Sequence, residues 1–362
     1  MRAAGLPTLM TSSAPAAAPR SHSYERAFTP RSGSGGPCGS TQKSIAMRLL
    51  SIVVLFATLP PSRSRHLTVA TAQLRERRSV QETVERMTSF VAEAAARGAQ
   101  VVVFPEAAIT GYGPDCVASV SQDDVAAAEK SVREACRAHS IAAVVGTPLL
   151  GFNSALVIAA DGSEVCRQHK MQLVPTDLPW SQRGEMVHVF DICGVDCSVI
   201  ICHDKRYPEL VRLPVLAGSR CIFYISAESW HDDLPLPAPH GTPPVAWDAE
   251  RLERELGVYR AQAQARAVEN RVWLVKSNVA GNEEEPYRGS HGQSCIVDPT
   301  GMVVCEAGVY EEVLLTHTLD LDEATALYAE KSLLPEYALS GWWRAALQRV
   351  KRVSPSAAAA AA

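Results

Sequence analysis

Cys202 is the residue of this chain whose position best suits a nucleophile. It ends the apolar run 197–201 and precedes the polar stretch 203–207 (HDKRY), after which Pro208 opens a predicted helix. A side chain at such a strand-to-helix turn projects from the sheet, beside backbone N–H groups that can hold an oxyanion. A helix N-terminus also favours a thiolate over a thiol. Position alone fits a buried structural cysteine at least as well, so the interpretation depends on partner residues.

Two further polar residues follow apolar, strand-like runs. Glu106 comes after the run 101–104, and Lys170 comes after the run 164–168. Taken singly, each would normally be a solvated surface charge. Taken with Cys202, they make three strands that end in a carboxylate, an ammonium and a thiol, which is the set that acyl transfer from an amide requires.

The elements that must position these residues alternate between strand-like and helix-like patterns over residues 66–353. Ser79 is suited to cap a helix that Gly98 closes, and Asp161-Gly162 is a hairpin signal between two strands. Strands are predicted at 67–74, 101–104, 142–145, 153–159, 164–168, 197–201, 221–225, 272–278, 289–297, 302–306 and 313–319, and further helices at 124–139, after Pro208 and at 249–270. This pattern indicates an α/β domain whose sheets are not purely parallel.

Composition narrows the function classes. The formal net charge of −4 over 362 residues argues against a nucleic-acid binder, which would carry a concentrated basic face. Ten cysteines without a CxxC pair indicate neither a disulfide scaffold nor a structural zinc site. We therefore expect mostly reduced thiols in an intracellular compartment.

The N-terminal segment 1–65 differs from the rest. It holds eight Lys/Arg and one acid, a charge of +7 that leaves −11 for residues 66–362. Its apolar run at 49–59 is too short for a membrane-spanning helix, which needs about 20 residues. An organelle transit segment, a secretory signal starting at Met47 and a translated segment with no role all fit. We predict no integral membrane anchor, a catalytic domain at 66–353 and a low-complexity tail at 354–362.

Several motifs resemble those of one known family, the nitrilase superfamily of carbon–nitrogen hydrolases. Residues 103–106 (VFPE) with 110–112 (TGY) resemble its glutamate motif, His169-Lys170 its lysine motif, and 201–209 (ICHDKRYPE) its cysteine motif. Residues 266–270 (RAVEN), 277–278, Gly281 and 292–294 are similar to its C-terminal half, so the likeness covers about residues 66–320.

The resemblance implies a four-layer α-β-β-α sandwich that forms a homodimer or larger homo-oligomer and needs no metal or cofactor. It also implies roles. Cys202 attacks a small amide, carbamoyl or nitrile carbon, while Lys170 and the backbone N–H after Cys202 stabilise the oxyanion. Glu106 transfers protons and later activates water against the thioester.

One position departs from the family pattern. A second glutamate usually stands between the lysine and cysteine motifs, and here Asp177 occupies that place. Because aspartate is one methylene shorter, its carboxylate could fall roughly 1 Å short. Glu185 and Glu228 are alternative candidates, and Asp177 could be a turn residue only.

The substrate is the least determined feature. The resemblance implies pocket walls in the loops after the strands, near 110–115, 175–180, 205–207 and 226–247. Candidate substrate contacts are Tyr112, His203, Arg206 and Ser226. Arg206 could pair with a substrate carboxylate or with a structural acid. The proline-rich stretch 229–247 is interpreted as a loop or lid. The competing function is a catalytically impaired scaffold of the same fold, which only Asp177 favours.

Overall fold

Two β-sheets packed face to face occupy the centre of the fold in the computed structural model. The structure describes residues 65–77, 79–228, 249–284 and 290–353. The chain divides into a unit Met1–Pro60, which is not described, and a unit Pro61–Ala362, to which everything below refers. The N-terminal segment 1–65, apart from Arg65, lies outside the described residues, as do the proline-rich loop and the C-terminal tail.

The strands of the described residues are numbered in chain order. They are β1 (His66–Gln73), β2 (Val101–Val103), β3 (Ala142–Leu149), β4 (Phe152–Ile158), β5 (Glu164–His169), β6 (Val187–Ile192), β7 (Val195–Ile201), β8 (Cys221–Ser226), β9 (Trp273–Asn278), β10 (Cys295–Val297), β11 (Val303–Glu306), β12 (Val313–Asp320) and β13 (Val350–Val353). The first sheet has the order β12-β1-β2-β3-β4-β5, and the second has the order β11-β10-β9-β8-β7-β6-β13.

The helices are likewise numbered in chain order. They are α1 (Val80–Ala96), α2 (Pro114–Ala118), α3 (Gln122–His139), α4 (Pro208–Leu216), α5 (Ala249–Asn270), α6 (Leu327–Lys331) and α7 (Ser340–Ala346), with 3₁₀ turns at Cys202–Arg206 and Leu347–Arg349. No helix among these described ranges is both long enough and apolar enough to cross a membrane.

Alternation along each strand divides the apolar side chains between two faces. Along β1, Val69 faces the space between the sheets, where it packs in one core with Val199 and Phe223 of the second sheet. Its neighbour Ala70 faces outward, in a core that includes Phe90 of α1. Both sheets therefore bury both of their faces.

Helices cover the two outer faces. α1 and α3 pack on the first sheet, and α4 and α5 pack on the second, where Val211 and Ala263 join a core with Ile222. The layers thus run helix, sheet, sheet, helix, and the predicted four-layer α-β-β-α sandwich is confirmed.

Local signals in the sequence explain where the elements begin. Ser79 caps α1 by accepting a hydrogen bond from the Glu82 N–H, at 3.2 Å. The predicted hairpin pairs β4 with β5 in antiparallel register.

The nine described cysteines are all free.

Two strands of the second sheet have no counterpart in the predicted elements. β6 pairs with β7, and β13 pairs in parallel with β6 and forms the edge of the sheet. β13 has only four residues, and β6 interrupts its apolar residues with His188 and Asp191, so neither makes a long apolar run. The packed second sheet therefore extends beyond the region of family resemblance at its C-terminal end.

Candidate active site

The ends of three strands converge at one end of the sandwich. Glu106 follows β2, Lys170 follows β5, and both strands belong to the first sheet. Cys202 follows β7 of the second sheet. A site built in this way takes its side chains from both sheets and lies where their strands end.

Cys202 opens the 3₁₀ turn that leads from β7 into α4. Its φ is +46°, a left-handed conformation that costs a residue other than glycine on the order of 1 kcal/mol or more. Asp204 stabilises the turn, because its carboxylate accepts hydrogen bonds from the Ile201 N–H (3.2 Å) and from the Gln172 N–H (2.8 Å). One buried carboxylate thus joins the Cys202 turn to the segment after Lys170, and sequence analysis gave Asp204 no role.

Lys170 lies between two carboxylates. Its Nζ is 2.8 Å from Glu106 Oε1 and 2.8 Å from Asp177 Oδ2, and none of the three side chains is accessible to solvent. A buried charge is tolerated only when it is paired and hydrogen-bonded, and both conditions hold here. Burial opposes the Lys170 ammonium, yet Glu106, Cys202 and Asp177 raise its pKa well above the usual value. Lys170 is therefore charged at neutral pH.

Glu106 has hydrogen-bond donors at both oxygens. Oε1 accepts from Asn153 Nδ2 at 2.7 Å in addition to Lys170, and Oε2 accepts from the Ala227 N–H at 2.9 Å. The same Asn153 amide is 3.3 Å from Asp177 Oδ1. Asn153 Oδ1 itself has no hydrogen-bond partner among the described residues. Asn153 bridges the two carboxylates, and an asparagine near the start of a strand gave no signal for this in the sequence.

Asp177 makes contacts of both kinds considered for it. Its Oδ2 accepts a hydrogen bond from the Val174 N–H at 2.9 Å, as in a turn, and also contacts Lys170. Tyr112, predicted as a substrate contact, donates from its hydroxyl to Asp177 Oδ1 at 3.0 Å, and its ring centroid lies 5.4 Å from Lys170 Nζ. Of the two alternative carboxylates, Glu185 is exposed to solvent.

Glu228, the other alternative, is buried but contacts different cations. It forms ion pairs with Lys205 and with Lys276, whose Nζ lies 2.8 Å from Glu228 Oε2. It also accepts a hydrogen bond from the Tyr224 hydroxyl. Glu228 is therefore not a partner of Lys170 in this arrangement.

Two of the remaining predicted contacts, His203 and Arg206, lie in the turn that Cys202 opens, and the third, Ser226, ends the neighbouring strand β8. His203 is half-buried and packs edge-on against Tyr207, with ring centroids 5.6 Å apart. Arg206 is half-buried at the end of the same turn. Ser226 is fully buried at the end of β8, next to the Ala227 N–H that binds Glu106.

The electrostatic state of Cys202 differs from the sequence expectation. Burial raises the pKa of its thiol, as does the charge of Glu106, and the cations Lys170 and Lys205 offset only part of this effect. The sequence expectation of a favoured thiolate is not met in the resting site, because burial is the largest influence on the pKa of this thiol. Cys202 opens a 3₁₀ turn, and α4 begins only at Pro208. Cys202 is a thiol at neutral pH, and its proton must be removed during attack.

Comparison with known proteins gives a consistent result. The model of the carbon-nitrogen hydrolase family matches residues 68–329. A 2-oxoglutaramate amidase of Bacillus subtilis is 27% identical over 251 residues, which cover 67% of this chain and 86% of that protein. An omega-amidase of Mus musculus is 25% identical over 269 residues, covering 70% and 89% of the two chains.

Solved structures agree at the level of the fold and of sequence. A mutant of the Nesterenkonia AN1 amidase from the nitrilase superfamily superposes with a TM-score of 0.61 at 26% identity, over 75% of this chain and 96% of that one. A double mutant of the same amidase, in complex with acrylamide, gives a TM-score of 0.62 at 25% identity over 75% and 95%. The chain belongs to the carbon–nitrogen hydrolase family, within the nitrilase superfamily, and is an amidohydrolase of non-peptide carbon–nitrogen bonds.

Proposed function

We propose that this enzyme cleaves a small amide through a thioester on Cys202, with Glu106 as the proton-transfer group and Lys170 as the oxyanion partner. The observation that carries the proposal is the buried Lys170 ammonium, 2.8 Å from Glu106, in a site whose charges act on the Cys202 thiol. A base, a cation and a thiol in one buried site are the groups that acyl transfer requires.

Acylation begins from the neutral thiol. Glu106 takes the thiol proton as sulfur bonds to the amide carbon, because the raised pKa of Cys202 leaves little free thiolate beforehand. The carbonyl oxygen becomes an oxyanion, which the Lys170 ammonium and the backbone N–H after Cys202 stabilise. Glu106 then returns its proton to the nitrogen, the carbon–nitrogen bond breaks, and ammonia or an amine leaves a thioester.

Deacylation reuses the same groups. Glu106 removes a proton from a water molecule, whose oxygen attacks the thioester carbon, and Lys170 again faces the oxyanion. When the carbon–sulfur bond breaks, Glu106 gives its proton to the sulfur, and the carboxylic acid product leaves the thiol enzyme. The donors on both Glu106 oxygens hold the carboxylate in one orientation through the cycle.

Small amides and N-carbamoyl compounds are the proposed substrates. The names of the similar amidases, and the acrylamide complex of one of them, support an amide. One further structure of that amidase has the acetamide moiety of fluoroacetamide added covalently at the active-site cysteine, which supports Cys202 as the nucleophile. A nitrile is the weaker candidate, because nitrilases proper usually have Trp-Glu after the cysteine and this chain has His203-Asp204. His203, Arg206 and Ser226 remain the proposed substrate contacts.

The scaffold alternative rested on Asp177, and the geometry weakens it. An aspartate that lies 2.8 Å from Lys170 supplies the second carboxylate despite its shorter side chain. We also propose a homodimer or larger homo-oligomer, which light scattering of the purified protein would test.

The test is a panel of amides, N-carbamoyl compounds and nitriles assayed for ammonia release. Wild-type enzyme should turn over at least one amide or carbamoyl compound, and mass spectrometry of quenched enzyme should show the acyl group on Cys202. Cys202→Ala should fold normally and release no ammonia, because no thioester can form. Turnover by this variant at the wild-type rate would refute the mechanism.

A further inference from the structure

A second group of buried charges lies next to the active site, and the proposed mechanism does not use it. It consists of Glu228, Lys205, Lys276, Tyr224 and His291, and we call it the Glu228 cluster. Lys205 donates a hydrogen bond to Oε1 of Glu228, and Lys276 Nζ lies 2.8 Å from Oε2. Each of the three charged side chains is at most 2% exposed. Such burial is costly, so ion pairs of this kind are weak as stabilisers of a fold.

The Glu228 cluster is connected to both sides of the proposed reaction centre. Lys205 belongs to the 3₁₀ turn Cys202–Arg206, which we call the nucleophile turn. The ion pair between Lys205 and Glu228 therefore holds this turn in place. The residue before Glu228 binds the proposed base, since the Ala227 N–H donates to Glu106 Oε2. The Glu228 N–H is in turn fixed by Asn278 Oδ1 at 3.0 Å. The segment Ala227-Glu228 therefore contacts the base through one residue and the nucleophile turn through the next.

The charges of the two groups are complementary. Lys170 with Glu106 and Asp177 carries one positive and two negative charges, a sum of −1. Lys205 and Lys276 with Glu228 carry two positive and one negative charge, a sum of +1. His291 adds no charge at neutral pH, because burial lowers its pKa to about 3. When the thiol proton passes to Glu106, Lys170 faces the Cys202 thiolate and the Asp177 carboxylate, so the sum of this group stays at −1. The surplus positive charge lies in the Glu228 cluster.

Among the described residues, four charged side chains and two phenols interact electrostatically with the Cys202 sulfur. Glu106 and Glu228 disfavour the thiolate, Lys170 and Lys205 favour it, and Tyr112 and Tyr224 are neutral phenols whose own pKa values the thiolate raises. Lys205 thus lowers the pKa of the Cys202 thiol and Glu228 raises it, although the two side chains form an ion pair with each other.

We propose that Lys205 is a positioning residue for catalysis: held by Glu228, it fixes the Cys202 turn and supplies the second positive charge that stabilises the thiolate during attack. The inference rests on the proposed function, in which Cys202 is the nucleophile. Glu228 sets the strength of this effect, because it partly neutralises Lys205 while anchoring it.

Alkylation of Cys202 by iodoacetamide tests the inference without requiring turnover. The rate constant is measured on full-length protein at several pH values from about 6 to 9, with the modified residue identified by mass spectrometry. Lys205→Met should slow alkylation and Glu228→Gln should accelerate it, each by about threefold or more, because a pKa change of one unit alters the thiolate fraction tenfold and nucleophilicity offsets part of that. In turnover, Lys205→Met should lower kcat more than it changes KM.

Lys276→Met is the matched control, since it removes the same charge from the same carboxylate but from β9 instead of the nucleophile turn. Its effect on alkylation should be smaller than that of Lys205→Met. If Glu228→Gln does not fold, Glu228→Gln/Lys276→Met removes equal and opposite charges, and faster alkylation is still expected. Rate changes of the same sign for Lys205→Met and Glu228→Gln, or no change in folded variants, would overturn the inference. Failure of the proposed function is a separate outcome, seen as turnover by Cys202→Ala.

Discussion

At the scale of single residues, Asp177 shows how a short side chain reaches Lys170. Its own turn, closed by the Val174 N–H, brings the carboxylate to 2.8 Å from Lys170. Tyr112 and Asn153 hold the other oxygen. The expected shortfall of roughly 1 Å is therefore absent from the contact with Lys170. A turn residue can thus also supply the second carboxylate that we propose.

We predict that Asp177→Asn lowers kcat by about 10²-fold, because a charge that orients Lys170 is lost while the shape is kept. Asp177→Glu should also lower kcat, since an added methylene has no room at a fully buried site whose carboxylate already reaches Lys170. Glu185→Gln is the control and should leave activity unchanged, because Glu185 is exposed. Steady-state kinetics on the best substrate give the values. A silent Asp177→Asn with a damaging Glu185→Gln would assign the second carboxylate to Glu185.

At the scale of elements, Glu106, the proposed base, is positioned by the close approach of β3 to the residues after β2. A Cβ at Gly146 of β3 would lie 2.0 Å from the Pro105 carbonyl oxygen and 2.6 Å from Glu106 Cα. Real Cβ atoms do not approach backbone this closely, so only glycine allows the two segments to pack. Ala107, directly after Glu106, has a φ of +47°, which shows how tightly the chain turns there.

We predict that Gly146→Ala displaces Glu106 and reduces kcat/KM by about 10²-fold, since a shift near 1 Å in a catalytic group costs that much. Gly257→Ala, in α5, is the matched control because a Cβ there meets nothing within 4 Å. It should keep full activity and stabilise the protein by up to about 1 kcal/mol, through the higher helix propensity of alanine. Activity assays and urea denaturation measure both effects. Full activity in Gly146→Ala would show that the Glu106 turn tolerates the shift.

At the scale of the whole molecule, the C-terminal strand completes the second sheet. β13 pairs with β6, and Arg352 forms a two-pronged ion pair with the buried Asp196, each contact at 2.8 Å. In the same pairing, Lys351 lies opposite His188. Burial, followed by the charges of Lys351 and His169, lowers the pKa of His188 to about 4.

This shift predicts acid sensitivity with a definite sign. His188 binds a proton more readily in the unfolded chain, near its ordinary pKa of about 6.5, than in the fold. Its contribution to stability is therefore complete above about pH 6.5 and is lost as the pH falls towards 4. We expect the urea midpoint to fall over this range, and to fall less in His188→Gln. His139→Gln, at the exposed end of α3, should keep the wild-type decline. If the urea midpoints of wild type and His188→Gln fell equally with pH, the acid sensitivity would not come from His188.

We predict that a chain starting at His66 folds and retains activity. Among the described residues, Arg65 accepts a backbone hydrogen bond from the Leu321 N–H and forms an exposed ion pair with Asp322, interactions worth about 1 kcal/mol each at most. A chain starting at Ala72 is the control and should not fold, because it lacks most of β1, which pairs with both β12 and β2. Circular dichroism and ammonia release measure the outcome. Loss of folding in the His66 variant would make the N-terminal segment part of the domain.

Much of this protein could be predicted from its sequence because the relevant signals are local. Apolar patterning indicated all the described strands except β6 and β13, together with the layered α/β class, and the apolar runs before Glu106, Lys170 and Cys202 put three chemical groups at strand ends. The sequence did not predict β6 or β13, because β13 is short and β6 contains polar residues. Such strands are defined by their neighbours in the sheet.

The tertiary structure alone decided which of these groups meet and in what charge state. The contact of Lys170 with Glu106 spans 64 positions, that of Ala227 with Glu106 spans 121, and no local pattern encodes such pairs. The same holds for Asn153 between the two carboxylates and for the Glu228 cluster. The charge state of Cys202 also differs from the sequence expectation, since the raised pKa keeps it a thiol. The pKa of a buried group depends on how far water is excluded and on which charges the fold brings beside it.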